Sequence, residues 1–161
     1  MTKITFEQFL NATSASTNYG DFMLDLHNYM LDNGCGKPTF EEKKTGLLGS
    51  YKHKKTKHTI INVLLKQHGL LVRIYGENVI EYYDFFDTLP DEMVQSIANA
   101  GVCRRLVHNT CSTKCAGYDV TIDNERYQRC RYGAFEFLVT DTSAPFVKSF
   151  VENETGERNK V

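Results

Sequence analysis

Apolar residues in the first third of the chain recur with helical spacing. Phe22, Met23, Leu26, Tyr29 and Met30 fall at i, i+1, i+4, i+7 and i+8, one face of a helix. Gly34 and Gly36 supply its stop, with Pro38 just beyond. A shorter helix is predicted upstream, with Thr5 as N-cap and Phe6, Phe9 and Leu10 as its apolar side. The polar run NATSASTN between the two reads as a linker turn.

Beyond Pro38 the period shortens. TGLLGSY, TIINVLLK and LLVRIYG are runs rich in Ile, Val, Leu and Tyr, bounded by glycine or polar turns, and predict three successive antiparallel strands. The charged KHKKTKH, residues 52–58, forms the first hairpin tip, and His68-Gly69 the second turn. Helical spacing returns from Val79 to Ala100, with Val79, Ile80, Tyr83 and Phe86 near one face. Leu89-Pro90-Asp91-Glu92 restarts a second helix there, buried along Met93, Ile97 and Ala100. Tyr118, Val120 and Ile122 then alternate with polar residues up to an Asp123-Asn124 turn. Tyr127 to Val139 supplies one long strand or two short ones. Thr142 or Ser143 caps a last helix packed through Phe146, Val147, Phe150 and Val151, and ENETGERNKV reads as a polar tail fraying from about residue 153.

Strand and helix runs are segregated rather than alternating. This predicts an α+β fold, an antiparallel sheet packed against helices in a single sandwich layer, with residues 1–161 as one domain. The composition agrees: 161 residues at 41% apolar, with ten Phe and nine Tyr, can bury a core without disulfide staples. Nineteen basic residues oppose twenty acidic ones, for a net charge of −1. That balance argues against a dedicated polyanion binder while leaving room for local patches. No apolar run approaches the roughly 18 residues of a membrane span, and MTKITFEQFLNATSAS lacks the apolar core of a secretory signal. The expectation is a cytoplasmic protein with reduced thiols and no membrane partner.

Four of the five cysteines fall between residues 103 and 130, as Cys103, Cys111, Cys115 and Cys130. Four thiolates suit tetrahedral Zn²⁺, and Cys111 and Cys115 in NTCSTKCAG have the close spacing of one half of such a site. Arg104, Arg105, Lys114, Arg126, Arg129 and Arg131 flank the sulfurs and would offset the charge of a tetrathiolate. Cys103 is expected at the end of the preceding helix, with Cys35 unrelated. Two other readings stand beside the structural zinc: reduced thiols in core or surface, and redox chemistry or nucleophilic catalysis at Cys111 or Cys115. A closed four-cysteine site would staple the fold and leave no position open for hydrolysis.

Two further features concern binding. Arg73, Tyr75, Tyr118, Tyr127 and Arg131 belong to a Tyr/Arg-rich set suited to line a sheet face that takes a small anionic or aromatic ligand. Lys52, Lys54, Lys55 and Lys57 give the hairpin tip a phosphate-contacting character. A solvated loop that keeps the hairpin soluble is the competing reading. No Gly-rich phosphate loop, nucleophile elbow or His-Glu-x-x-His pattern occurs, and no catalytic residue is assigned.

The segments LVRIY at 71–75, LP at 89–90, CRRL at 103–106, CSTKCAGYDVTI and YQRCRYGAFEF resemble a group of uncharacterised small bacterial cytoplasmic proteins with a four-cysteine C-terminal half. The resemblance spans residues 40 to 154 and implies a cytoplasmic accessory or ligand-binding role, with no functional residue to transfer. The expected function is a non-enzymatic domain, zinc-stapled, that binds a small molecule or a protein. The alternatives are a nucleic-acid-associated protein using the 52–58 hairpin with Arg104, Arg105, Arg129 and Arg131, and a thiol-dependent sensor or enzyme.

Overall fold

The computed structural model describes residues 2–160. Strands β1 (Thr2–Ile4), β2 (Thr39–Lys43), β3 (Gly46–Lys52), β4 (Thr59–Lys66), β5 (Gly69–Ile74) and β8 (Glu136–Leu138) form a sheet in the order β1-β2-β3-β4-β5-β8. Every neighbouring pair is antiparallel. Strands β6 (Tyr118–Ile122) and β7 (Glu125–Arg129) form a separate two-stranded ribbon. The helices are α1 (Phe6–Ser16), α2 (Gly20–Asp32), α3 (Asp91–Ala98), α4 (Arg104–Val107) and α5 (Ala144–Arg158), with a 3₁₀ segment over Val79–Thr88. The α+β class expected from segregated patterning is the one observed.

Alternation sorts the main sheet into two faces. Tyr51, Ile61, Val63, Leu65, Leu70, Val72, Ile74 and Phe137 point into the core, where α1, α2, α5 and the 3₁₀ segment contribute Phe9, Met23, Leu26, Met30, Phe86, Val147 and Phe150. The registers Gly49↔Val63↔Val72↔Phe137 and Tyr51↔Ile61↔Ile74 place these core residues side by side. Gly49 leaves room there for a ring, since a Cβ would lie 2.6 Å from Phe40 and 2.7 Å from Val63. The opposite face carries a half-buried polar row, Ser50, Asn62, Arg73 and Glu136.

Several local signals act as expected. Thr5 caps α1 reciprocally with Gln8, and Gly34 adopts φ +98 after α2. The Asp123-Asn124 turn has φ 50 and 69, the left-handed pair of a tight hairpin. Other expectations are corrected. NATSAS is helical rather than a linker, because Thr13 donates its hydroxyl to Phe9 O and Ser16 to Ala12 O, turning polar side chains back onto the helix. Strands β1 and β2, the edge strand and its neighbour, carry too few apolar residues to stand out in the pattern. Cys103 is not at a helix C-terminus but precedes α4, separated from α3 by a loop.

The largest correction concerns the tail. Helix α5 continues to Arg158, and Glu154, Thr155 and Arg158 are buried. The stripe Val147, Phe150, Val151, Glu154, Thr155, Arg158 keeps helical spacing, so the face stays inward while its chemistry turns polar. Burying a carboxylate requires partners for its lone pairs. Glu154 accepts from Glu77 N (3.1 Å), Asn78 N (3.2 Å), Asn78 Nδ2 (3.2 Å), the Tyr82 hydroxyl (2.5 Å) and Arg158 Nε (2.7 Å). Burial, then the adjacent carboxylate, raises the Tyr82 pKa, which keeps its hydroxyl a donor. Arg158 donates onward to Tyr75 O and His58 O. Asn159 Oδ1 accepts from His53 Nε2 at 3.1 Å, and its Nδ2 donates to Asn33 O. The last helical turn thus pins β5, the 3₁₀ segment, the basic hairpin and the end of α2.

Glu154→Gln should lower unfolding stability in urea by about 3–5 kcal/mol, because it leaves a buried guanidinium without its counter-charge. Glu154→Gln combined with Arg158→Met should cost clearly less than the sum of the two single changes. Strict additivity would show that the two side chains do not act as a unit.

Candidate functional site

At the end of β5 the chain leaves the sheet beside the β3–β4 hairpin, and a recess of about 350 Å³ opens between them. Lys52, Lys57 and His58 enter it from the hairpin, Tyr75 and Glu77 from the strand end, and Arg131 and Tyr132 from the turn after β7. The hairpin loop is held in shape. His53 is buried, its N–H donates to His58 O (2.8 Å), and its Nδ1 lies 3.2 Å from the Thr56 hydroxyl. Lys57 takes a left-handed φ of 66, an uncommon conformation for a non-glycine residue that this loop imposes.

Tyr75 is fixed from behind by the polar row of the open sheet face. Ser50 donates to Asn62 Oδ1 (2.8 Å), and Asn62 Nδ2 donates to the Tyr75 hydroxyl (3.1 Å). Arg73 Nε and Nη2 both reach Glu136 Oε2, at 3.2 and 2.9 Å. The Arg131 guanidinium carbon lies 5.4 Å from the Tyr75 ring centre and 5.8 Å from that of Tyr132. The two rings meet edge to face at 6.2 Å. This cation–π placement desolvates Arg131 without neutralising it. Its Nε is buried and makes no hydrogen bond.

Charges in the recess do not cancel. Among the described residues, Lys52, Lys57 and Arg131 form no ion pair, whereas His58 pairs with Glu77 at 3.1 Å. Glu77 also stands 4.0 Å from Arg158. Three cations therefore face one carboxylate that already has partners. The chemistry of these groups suits a small anion, and the exposed Tyr132 ring offers a planar surface beside them.

The structure divides the residues singled out in the sequence. Tyr75 and Arg131 line the recess, and Arg73 supports it from the sheet face. Tyr118 is a core residue whose ring lies 4.4 Å from that of Phe135 and tilted against it, its hydroxyl accepting from Gly76 N. Tyr127 sits on the ribbon under Arg129. Lys52 and Lys57 face the recess, while Lys54 and Lys55 are exposed on the loop and do not line it. Tyr132, a member of the same Tyr/Arg-rich set, and His58, the last residue of the KHKKTKH run, also line the recess, although neither was assigned to a site from the sequence.

The cysteine segments share one corner next to this turn. Cys103 N donates to Gln128 O (3.0 Å) and Cys130 N to Gly101 O (2.8 Å), on either side of the Val102–Arg129 bridge. Alternation puts Cys103 and Cys130 on the face opposite Val102 and Arg129, as diagonal neighbours with a spacing of about 7–8 Å. Gly117 packs so tightly on Cys103 that a Cβ would overlap its sulfur. Cys115 is two residues from that contact, at most about 7 Å of chain. Cys103 is buried, Cys115 and Cys130 are half-buried, and Cys111 is exposed. Among the described residues, no three His, Cys, Asp or Glu side chains close around a common point.

Several of the flanking arginines have other work. Arg126 pairs with Asp119 (2.6 Å), which holds the Asp119 carboxyl below its usual range. Arg129 caps the C-terminus of α3 through Ile97 O and Ala98 O, both at 3.0 Å. Cys35 bridges to His53 at the hairpin instead, and burial pushes its thiol up to about 12. No helix among the described residues is long and apolar enough to cross a membrane. No family model, curated protein or solved structure matches the chain.

Proposed function

We propose that the protein is a ligand-binding domain whose recess at Lys52, Lys57, Tyr75, Arg131 and Tyr132 takes a small phosphate-bearing anion. One observation carries this reading: three cations without acidic partners converge on one recess, and two tyrosine rings hold the most buried of them in place. A phosphate accepts charge-assisted hydrogen bonds from the terminal guanidinium nitrogens of Arg131, which lie outside the enclosed Nε, and further ones from the lysines. Tyr132 supports a planar group attached to that phosphate. The nucleic-acid alternative needs a longer track of charge, for which Lys54 and Lys55 supply the nearest extension.

Calorimetric titration with pyrophosphate and with ADP should give saturable one-to-one binding, weakened by salt. Arg131→Ala should reduce affinity at least tenfold, roughly the loss of one charge-assisted hydrogen bond. Lys54→Ala with Lys55→Ala should leave it unchanged. Tighter binding of a short single-stranded oligonucleotide, lost in the Lys54/Lys55 variant, would favour the nucleic-acid reading instead. No saturable binding of any of these probes would reject both.

Zinc held by Cys103, Cys111, Cys115 and Cys130 is proposed as a staple for the same corner. The backbone pairing of Gly101–Cys103 with Gln128–Cys130 supports it, because the turn after Cys130 presents Arg131 and Tyr132. Closing the site requires the loop carrying Cys111 and Cys115 to draw in toward the other two sulfurs. Native mass spectrometry of freshly purified protein should then show one bound zinc ion, and Cys115→Ser should lose it and melt lower. A metal-free mass with an unchanged melting temperature in Cys115→Ser would remove the staple and leave the anion site standing.

A further inference from the structure

A second cavity lies at the other end of the sheet and is independent of the anion recess. It is a cleft of about 810 Å³ between β1, the start of α1, α2 and the segment entering β2. Its lining is mostly apolar: Ile4, Phe6, Leu31, Pro38 and Phe40, with His27 as the one imidazole. Leu31 is 43% exposed although it is a large aliphatic residue, so its side chain stands at the mouth.

His27 departs from a simple core histidine. Its ring stacks on Phe6 with centres 3.5 Å apart and planes 5° from parallel, and only 9% of the residue is exposed. Nδ1 lies 2.8 Å from the hydroxyl of Tyr51. Tyr51 is fully buried, burial raises its hydroxyl pKa, and His27 is its hydroxyl's one partner among the described residues. A protonated phenol with one available acceptor donates to it, so Nδ1 is the acceptor. Burial also lowers the His27 pKa, which keeps the ring neutral near pH 7. The proton of a neutral ring whose Nδ1 accepts must reside on Nε2. The two ring nitrogens diverge. With Nδ1 engaged by Tyr51, Nε2–H lies on the other side of the ring, finds no acceptor among the described residues and is not enclosed, and His27 lines the cleft.

An apolar slot with one free donor on its lining calls for an occupant with an apolar body and an acceptor. The rim narrows the choice further. Lys3 and Lys37 are both exposed there, and neither forms an ion pair among the described residues. The opposing acid, Glu41, sits across from Lys3 in the β1–β2 register and is 3.6 Å from Lys43. The net charge around the mouth is positive.

We propose that this cleft binds an amphipathic carboxylate, its hydrocarbon body against Phe6, Leu31 and Phe40 and its head group between His27 Nε2 and the lysines. The volume falls within the range of small-molecule pockets, and the apolar lining provides most of the contact. A neutral imidazole is suited to this role because it donates to a carboxylate without a buried charge of its own to desolvate.

Decanoate titrated into the full chain, followed by ¹H–¹⁵N spectra, should bind saturably and one-to-one. The shifts should concentrate at Phe6, His27, Leu31 and Phe40, and the His27 Nε2–H resonance should move. Leu31→Trp, at an exposed position, fills the mouth without touching the core and should weaken decanoate at least tenfold, while pyrophosphate binding at the recess stays as it was. Lys3→Ala with Lys37→Ala should narrow the preference for decanoate over decanol. Equal binding of decanol and decanoate by the unaltered protein would overturn the head-group assignment. Decanoate binding unaffected by Leu31→Trp, or shifts located elsewhere, would overturn the site.

Discussion

The buried pair of Glu154 and Arg158 is the constraint around which the functional end of the molecule is built. Two opposite charges out of water gain little by themselves, because desolvation offsets most of their attraction. Their value lies in the hydrogen bonds each makes outward. The carboxylate gathers the backbone N–H groups of Glu77 and Asn78 and the Tyr82 hydroxyl, while the guanidinium takes the carbonyls of Tyr75 and His58. Of these, His58, Tyr75 and Glu77 line the recess and Asn78 adjoins it, while Tyr82 ties in the 3₁₀ segment behind. A helix interior without such groups could cover the sheet but would leave the Tyr75 carbonyl and the N–H groups of Glu77 and Asn78 without these partners.

That stretch shows why the pair is needed. Where a strand ends inside a folded protein, its N–H groups lose their ladder and must be satisfied otherwise. Tyr75 N still finds Ile60 O, but Gly76 N turns to the Tyr118 hydroxyl and the next two to Glu154. Three elements remote in sequence therefore fix one short turn. The same arrangement holds Tyr75 rigid, and Tyr75 in turn orients Arg131. The recess is preorganised by buried polar groups rather than by the hairpin that supplies most of its charge.

Period and punctuation made much of the fold legible. The strands from Gly46 to Ile74, the helix from Gly20 to Asp32, and the hairpin at Asp123-Asn124 each carry apolar spacing and a turn residue that agree. What escaped the sequence has a common cause. At Glu154, Thr155 and Arg158 the helical stripe continues in polar residues, and polarity reads as exposure unless the partners are known. The recess was visible only in fragments: Tyr75 and Arg131 stood out as one set and Lys52 and Lys57 as another, and no local pattern tells that a hairpin tip and a turn some seventy residues later will face each other. His27 gave no signal at all, since its role depends on which nitrogen Tyr51 occupies.

Charge balance shows the same limit of a one-dimensional reading. A net charge of −1 suggests indifference to anions, yet the sum hides how charges are spent. Arg73 is neutralised by Glu136, Arg126 by Asp119, Lys148 by Asp25 and Arg158 by Glu154, so these pairs contribute little field at a distance. Lys52, Lys57 and Arg131 are left over at one place, against a wall of tyrosine that excludes water from part of Arg131. A potential focused this way depends on the position of unpaired charges in a low-dielectric notch, not on the total. The anion binding proposed for the recess is therefore compatible with an overall acidic chain, and it would depend on how firmly the Cys130–Gly133 turn holds Arg131 against the two rings.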